Sequence, residues 1–184
     1  MSSLQKFHRR TQSTKPVKAL GSQAPITGAG FYLGMAGDGT SYMYVSPKST
    51  EMSGNWGSEG IIRNIISPTD GLGNSNTLSA YGNTTANGHY AAWTCRQQTT
   101  GGYNTWYLPA KNELLTAISN QFATPFATVN AFTGDFYWSS TETDSASGYQ
   151  ANRAWSIYGT NANPGGGSYK GTTCRIRAVR RALV

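Results

Sequence analysis

Alternation of apolar and polar positions marks the first regular structure along the chain. Phe31, Leu33 and Met35 are separated by single residues, which is the period-two pattern of a half-buried strand. The stretch Gly-Asp-Gly-Thr at 37–40 follows and supplies residues that tolerate the backbone angles of a tight turn. A second apolar run at 42–45 then returns along the first. The pattern therefore predicts a β-hairpin.

Two later segments have helical rather than alternating spacing. Between residues 84 and 99, Ala91, Ala92 and Cys95 form a narrow stripe of small side chains that permits close packing. The glycines at 101–102 end this segment in the manner of a helix C-cap. The spacing predicts a helix here.

The second predicted helix follows Pro109, which is tolerated at the start of a helix. Leu114, Leu115, Ile118 and Phe122 are spaced so that they share one helix face. We therefore expect all four side chains to pack into the core.

The rest of the chain predicts short strands joined by polar loops. The strands are expected at 106–108, 136–138, 154–158 and 174–178, and the loops at 46–83, 139–152 and 159–169. Residues 71–76, rich in Gly and Asn, are expected to form an ordered loop. In the last strand, Arg175 and Arg177 alternate with small or apolar residues, which places both arginines on one face. The order of elements indicates an α+β fold.

Charge divides the chain into a domain at 29–184 and an extended basic arm at 1–28. Residues 1–20 carry five basic side chains and no acidic one. Such an arm suits an acidic protein groove or nucleic acid, and a solubilising tail is the open alternative. Nucleic acid is the less favoured partner, because no RNA-binding motif or Cys/His cluster accompanies the charge. The candidate assembly contacts are Lys6, Phe7, Arg9, Arg10, Lys15 and Lys18.

The chain lacks the residue patterns of common catalytic and metal sites. His8 and His89 are far apart, and neither a zinc-binding set nor a nucleophile–base arrangement can be drawn. We expect no enzyme activity, no metal and no cofactor. Cys95 and Cys174 are expected to be buried thiols, with a disulfide between them as the alternative. No apolar stretch reaches about 18 residues, so neither a secretory signal nor membrane insertion is expected.

Five motifs follow one another in a specific order. They are Gly-Asn-Ser-Asn-Thr at 73–77, Ala-Ala-Trp-Thr-Cys at 91–95, Gly-Gly-Tyr-Asn-Thr-Trp-Tyr-Leu-Pro at 101–109 with Glu-Leu at 113–114, Tyr-Trp-Ser-Ser-Thr-Glu at 137–142, and Arg-Ala-Val-Arg at 177–180. In this order the chain resembles the Lcl C-terminal domain family over roughly residues 44–181. The resemblance implies a C-type-lectin-like fold, with two helices packed on a small twisted antiparallel sheet that carries long loops.

Within the resemblance, several residues depart from the family pattern. Ala110 stands where the family usually has Ser, which removes a helix cap worth about 1 kcal/mol. Thr105 replaces a frequent Asp. The Glu-Pro-Asn and Trp-Asn-Asp signatures are absent, so calcium-dependent sugar binding is not implied, and the local cysteine pair of formylglycine-generating enzymes is also missing.

The motif residues themselves are expected to be structural. Trp106, Leu108 and Trp138 are expected in the core. Arg177 and Arg180 are expected to pair with one of two acidic residues across the fold. Those acidic residues are Glu113 and Glu142.

The preferred functional hypothesis is a structural protein of a bacteriophage virion. It would be a capsid-decorating, tail or fibre-associated subunit, made in the host cytoplasm, present in many copies or as a homo-oligomer, and bound to other virion proteins through its arm. The resemblance implies a display domain, and only 12% of residues are charged, about half the usual share.

The alternative hypothesis is an adhesin that recognises a host-surface glycan or protein. Tyr, Asn, Ser and Gly are typical of adaptable binding surfaces, and a merely solvated loop is the remaining interpretation. The candidate ligand-binding residues are Tyr149, Gln150, Asn152, Arg153, Tyr158, Asn161 and Tyr169.

Overall fold

A computed structural model of the protein describes residues 18–24, 28–83, 88–123, 125–144, 146 and 148–184. Of the candidate assembly contacts, only Lys18 falls within these ranges. The other five lie outside the described residues: Lys6, Phe7, Arg9, Arg10 and Lys15.

The described residues form eight strands and four α-helices. The strands are β1 (Phe31–Met35), β2 (Ser41–Val45), β3 (Met52–Gly54), β4 (Phe136–Glu142), β5 (Arg153–Tyr158), β6 (Ser168–Tyr169), β7 (Cys174–Ile176) and β8 (Val179–Leu183). The helices are α1 (Gly71–Ser79), α2 (Tyr90–Arg96), α3 (Lys111–Ser119) and α4 (Phe126–Val129). The α+β class is confirmed, whereas the C-type-lectin-like assignment stays a prediction.

The first sheet has the strand order β1-β2-β8 and contains the predicted hairpin. β1 and β2 pair antiparallel, with Phe31 opposite Val45. The turn forms because the Asp38 carboxylate accepts hydrogen bonds from the backbone N–H groups of Thr40 and Ser41, both at 2.9 Å. The hairpin prediction is confirmed.

The chain ahead of β1 runs back along the outer edge of this sheet. Gly21 N–H donates to the Tyr32 carbonyl at 2.7 Å, and Tyr32 N–H donates to the Ser22 carbonyl at 2.9 Å. Ala24 N–H donates to the Gly30 carbonyl at 2.9 Å. The Lys18 ammonium lies 5.2 Å from the centre of the Tyr44 ring.

The second sheet has the strand order β3-β7-β4-β5-β6. Its pairs are antiparallel except for β4 with β7, which run parallel at Tyr137 and Arg175. β4 continues to Glu142, so the prediction that a loop begins at residue 139 is wrong. The strand continues because its polar side chains are bonded in the interior; the Ser139 hydroxyl, for example, donates to the Trp155 carbonyl at 2.9 Å.

Helix α1 occupies the segment for which an ordered loop was expected, so that prediction is wrong. The Asp70 carboxylate accepts from Gly73 N–H at 3.0 Å and caps the first turn. The Ser75 hydroxyl donates to the Leu108 carbonyl and accepts from Leu108 N–H, each at 2.9 Å. The helix is therefore held by these polar bonds together with the single fully buried apolar side chain of Leu78.

Helices α2 and α3 confirm the two predicted helices, but the predicted end of each is wrong. Helix α2 ends at Arg96 with Gln97 as its C-cap, so the glycines at 101–102 do not cap it. Leu114 and Ile118 are buried, but α3 ends at Ser119. Phe122 lies beyond the helix and is 71% exposed, so its prediction as a core residue is wrong.

The core consists of two main apolar clusters, and the two cysteines with Trp106 and Trp138 belong to the second. One cluster lies between the first sheet, α3 and the Tyr137 side of the second sheet. The other packs α1 and α2 on the opposite face and includes Trp106, Leu108 and Trp138, as predicted. Cys95 and Cys174 are buried free thiols, which confirms the preferred interpretation over a disulfide.

Candidate functional site

Glu113 is a fully buried structural carboxylate at the start of α3. It accepts hydrogen bonds from Gly37 N–H, the Tyr107 hydroxyl and Ala110 N–H at 3.0–3.1 Å. Its ionic partner is Arg181, at 3.0 Å. One half of the capping box is thus present, because Ala110 N–H donates to the Glu113 carboxylate. The other half is absent, because Ala110 has no side-chain acceptor for a backbone N–H.

Arg177 is also buried, and it pairs with Glu51 at 3.1 Å. Its guanidinium donates to the backbone carbonyls of Ser46 and Asn130 at 2.7 and 3.0 Å. The predicted pairing of Arg177 with Glu113 or Glu142 is therefore wrong. The prediction that Arg175 and Arg177 share one face of a strand is also wrong, because Arg175 is exposed and Arg177 is buried.

Arg180 has no carboxylate partner among the bonds of the described residues. Its Nε donates to the Ala29 carbonyl at 2.7 Å. Its guanidinium lies 4.0 Å from the Tyr103 ring centre and 4.4 Å from that of Tyr44. The expected pairing with Glu113 or Glu142 is wrong here too. The Arg180 charge is instead stabilised by cation–π contacts with the two tyrosine rings.

His89 lies buried between two aromatic rings. It contacts Trp56 and Tyr81 edge to face, with ring centres 4.9 and 5.5 Å away. Arg63 Nε donates to His89 Nε2 at 3.0 Å. Burial, followed by the nearby Arg63 and Lys170 charges, lowers the pKa of His89 to about 4. A neutral packed histidine fits the structural interpretation better than a general base near pH 7.

The two thiols also lack the character of nucleophiles. Burial raises the pKa of Cys174 to about 11 and raises the pKa of Cys95 further. Both sulfurs are therefore protonated at neutral pH, whereas catalytic cysteines act as thiolates. In the ranges described, no group of three His, Cys, Asp or Glu side chains could hold a metal ion. None of the described helices is long and apolar enough to cross a membrane.

Three of the candidate ligand-binding residues form one cluster, in which two tyrosines are exposed and Arg153 is half-buried. The Arg153 guanidinium lies 4.9 Å from the Tyr149 ring centre and 4.4 Å from that of Tyr169. The two tyrosines are 54% and 50% exposed. We call these three residues the Tyr–Arg–Tyr cluster. It presents two aromatic surfaces and a cation at the edge of the second sheet.

Two other candidates hold the backbone next to this cluster in place. Gln150 is buried, with its amide 3.5 Å from the Asn64 side-chain oxygen. The Asn152 side chain accepts from Gly60 N–H at 3.0 Å, and its carbonyl accepts from Lys170 N–H at 2.8 Å. These contacts fix the backbone around the cluster.

The last two candidates lie elsewhere. Tyr158 is at the far end of β5 from Arg153, about 16 Å away at the usual rise per strand residue. Its ring packs edge to face on Phe136. Asn161 accepts from Asn163 N–H at 3.1 Å and shapes a turn. The structure therefore does not bring all seven candidates into one site.

A cleft beside Phe136 was missed from the sequence. It has a volume of about 370 Å³ and is bounded by β3, β7 and the start of β4. Its side chains come from three separate stretches of the chain, so no local motif could have indicated it. The exposed Phe136 was assigned only to a strand.

Comparison with known proteins gives one family. The sequence profile of the Lcl C-terminal domain matches residues 63–180, a shorter span than the resemblance suggested. Searches of curated proteins and of solved structures gave no match.

Proposed function

Because the chain belongs to the Lcl C-terminal domain family, we propose that it is a binding and assembly module of a bacteriophage particle. Its N-terminal arm anchors the chain to other virion proteins, and its domain is displayed outward. The ligand-facing and anchoring functions are then served by different parts of one chain.

The observation that carries this proposal is that residues 21–24 of the arm and the Tyr–Arg–Tyr cluster lie on the edges of two different sheets. Residues 21–24 pair on the outer side of β1, the edge of the first sheet. The Tyr–Arg–Tyr cluster draws Tyr169 from β6, the edge of the second sheet. A chain fixed through its arm would therefore leave the cluster free for contact.

The use of buried charge supports a non-enzymatic role. Glu113, Glu142, Lys170 and Arg177 are all buried, and each is engaged by a partner charge and by further hydrogen bonds. Ion pairs of this kind hold elements of the fold together, so these buried charges are explained by structure without a role in acid–base chemistry.

The anchoring role is tested with the full-length chain. A variant with Lys6→Gln, Arg9→Gln, Arg10→Gln and Lys15→Gln removes four of the arm's five basic charges. Lys18 is kept, with its ammonium against the Tyr44 ring. We expect its copy number in purified particles to fall at least tenfold by quantitative mass spectrometry. The Phe122→Ala variant is the matched control, since Phe122 is exposed and distant in sequence. Equal incorporation of the charge variant and the wild-type chain would refute anchoring.

A second function, recognition of a host-surface protein or glycan, is favoured by the Tyr–Arg–Tyr cluster. Tyr and Arg are among the residue types that contribute most of the binding energy at protein interfaces. Particles carrying Tyr149→Ala with Tyr169→Ala should adsorb to host cells more slowly than wild-type particles, at unchanged copy number. Unchanged adsorption would reject this second function and leave the anchoring role intact.

A further inference from the structure

Among the buried charged side chains of the described residues, Arg180 is the one that no opposite charge neutralises. It is 4% exposed. The other buried charged residues each belong to an ion pair, and they are Glu113, Glu142, Lys170 and Arg177. Burial lowers the pKa of Arg180, but an arginine remains protonated at neutral pH. A desolvated cation without its anion is costly, so the Arg180 charge favours the binding of an anionic group.

The contacts of the Arg180 guanidinium leave one of its edges without a partner. Nε donates to the Ala29 carbonyl at 2.7 Å, and Cζ lies over the Tyr44 and Tyr103 rings, 4.4 and 4.0 Å from their centres. The hydrogen bonds of the described residues include none from Nη1 or Nη2. The Nη1–Nη2 edge therefore keeps its donors, while the carbonyl and the two rings fix its orientation.

A second cation lies against the same tyrosine ring. The Lys18 ammonium is 5.2 Å from the Tyr44 ring centre, and Lys18 is half-buried. Within the part of the chain that the structure describes, neither Lys18 nor Arg180 is in a salt bridge. The charges that act on Arg180 come from Tyr44 and Tyr103 and include no carboxylate. This face of the first sheet thus carries two positive charges and lacks the negative charge to balance them.

The geometry of the free edge favours a carboxylate. Two parallel N–H groups of a guanidinium match the two oxygens of a carboxylate, and such bidentate pairs are strong and directional. The tyrosine rings beside the cation suit the methylene groups that carry the carboxylate in a glutamate side chain. A single protruding side chain therefore fits the donors and the walls of this site.

The burial of the site disfavours a long polyanion. A polyanionic chain binds through several cations at once, whereas Arg180 is nearly buried and Lys18 is half-buried. The next arginine of β8, Arg181, is already paired with Glu113 at 3.0 Å. A row of charges along a polymer would thus find few free cations here.

We infer that Arg180 and Lys18 form a receptor for an acidic side chain of a partner protein, with the Nη1–Nη2 edge of Arg180 binding the carboxylate. Lys18 adds a second attractive charge beside the Tyr44 ring. The inference goes beyond the anchoring role, since it concerns the face of the first sheet and not the charges at residues 6–15. The receptor also lies on a different sheet from the Tyr–Arg–Tyr cluster.

The test is a titration of the full-length, isotope-labelled protein with the peptide acetyl-Gly-Glu-Glu-Gly-amide. The side-chain N–H of Arg180 and the backbone amide of Ala29 report binding. The comparison probes, used at matched ionic strength, are acetyl-Gly-Gln-Gln-Gly-amide, inorganic phosphate and a heparin disaccharide. The glutamate peptide should shift both resonances to saturation, and the glutamine peptide should shift neither. Phosphate and the heparin disaccharide should bind at Arg180 more weakly than the glutamate peptide.

Three variants assign the site. Arg180→Lys keeps the charge but loses the two-donor edge, so it should weaken binding about tenfold. Lys18→Gln removes the second charge and should weaken binding about threefold, and it remains decisive if Arg180→Lys is unstable. Lys111→Gln is the matched control. It removes a lysine that lies over another aromatic ring, that of Trp155 at 3.6 Å, and should bind as the wild type does.

The inference is overturned if the glutamate peptide does not shift the Arg180 resonance at tens of millimolar, or if Lys18→Gln binds as tightly as the wild type. Equal binding of the glutamine peptide, or tighter binding of phosphate or the heparin disaccharide, also overturns it.

The variant with four arm substitutions separates this receptor from the anchoring role. That variant keeps both Lys18 and Arg180, so the glutamate peptide should still shift the Arg180 resonance. Loss of the shift would assign the peptide to the arm and overturn the inference. The copy number of the same variant in particles is measured independently, so failure of the receptor and failure of anchoring are distinguishable.

Discussion

Lys170 Nζ lies 2.6 Å from Glu142 Oε1, and both side chains are completely buried. The same ammonium donates to the Ile61 carbonyl at 2.6 Å, and Glu142 also accepts from the N–H groups of Arg63 and Ile65 at 3.1 Å. Two side chains from distant parts of the chain thus fix the irregular segment between β3 and α1.

Removing the lysine should be strongly destabilising. Lys170→Met leaves the Glu142 carboxylate buried without its cation, and we expect a loss of about 3–5 kcal/mol in the free energy of unfolding. Adding Glu142→Gln should recover part of that loss, because the amide oxygen still accepts from the backbone. Urea unfolding at neutral pH measures both. Arg175→Gln, at the exposed pair with Asp135, is the control and should change stability little.

An additive double variant would contradict this prediction. If Lys170→Met and Glu142→Gln together cost the sum of the single changes, the two side chains do not act as a pair.

His89 should make stability depend on pH. Its pKa is lowered from 6.5 to about 4 in the fold, so the unfolded chain takes up the proton first as pH falls. The stabilisation is therefore present above pH 6.5 and is lost as pH falls towards 4. Because one pKa unit corresponds to about 1.4 kcal/mol, the loss should not exceed about 3 kcal/mol.

The control for this prediction is His89→Phe, which keeps the ring contacts with Trp56 and Tyr81. The free energy of unfolding of the variant should fall less between pH 7 and pH 4 than that of the wild type. Parallel curves for the two proteins would show that His89 does not titrate as expected.

The two thiols should be unreactive in the folded protein. Both are buried, and burial raises the pKa of each. Ellman's reagent at pH 8 should react slowly with native protein and label two thiols per chain after unfolding in denaturant. Fewer than two thiols under denaturing, non-reducing conditions would indicate a disulfide instead.

The two ends of the predicted α3 face should respond differently to truncation. Ile118→Ala removes a buried side chain and should cost about 2–5 kcal/mol. Phe122→Ala removes an exposed ring and should change stability by no more than about 0.5 kcal/mol. Thermal or urea unfolding compares them directly, and a large effect at Phe122 would place it in the core after all.

These positions also show what the sequence could predict. Alternation found β1 and β2, and helical spacing found α2 and α3. In β1 the alternation is not followed to its end, because the register is irregular between Tyr32 and Met35 and Met35 is exposed.

Helix α1 was missed because its buried face consists of Gly71, Asn74 and Ser75 beside Leu78. Glycine and polar residues give no apolar pattern, although Ser75 bonds to Leu108 in the interior. Phe122 satisfied the spacing, but the helix had already ended.

The candidate site was only partly predictable, because tertiary packing and not residue type decides which candidates lie together. Residue type and position near the chain's last loops identified Tyr149, Arg153 and Tyr169, which lie together. Composition alone could not separate them from Gln150, which is buried, or from Asn161, which shapes a turn. The partners of Arg177 and Arg180 depend on tertiary packing, and no local spacing encodes them.

The edge formed by residues 21–24 has a mechanical consequence. A pull on the chain ahead of residue 18 first loads three backbone hydrogen bonds, those of Gly21, Tyr32 and Ala24. The next contact along the chain is the hydrogen bond that the buried Arg180 side chain donates to the Ala29 carbonyl. Under tension the backbone hydrogen bonds of residues 21–24 should therefore break first, and the Arg180–Ala29 bond should break after them. A tethered domain can thus extend by a few residues before its core begins to unfold.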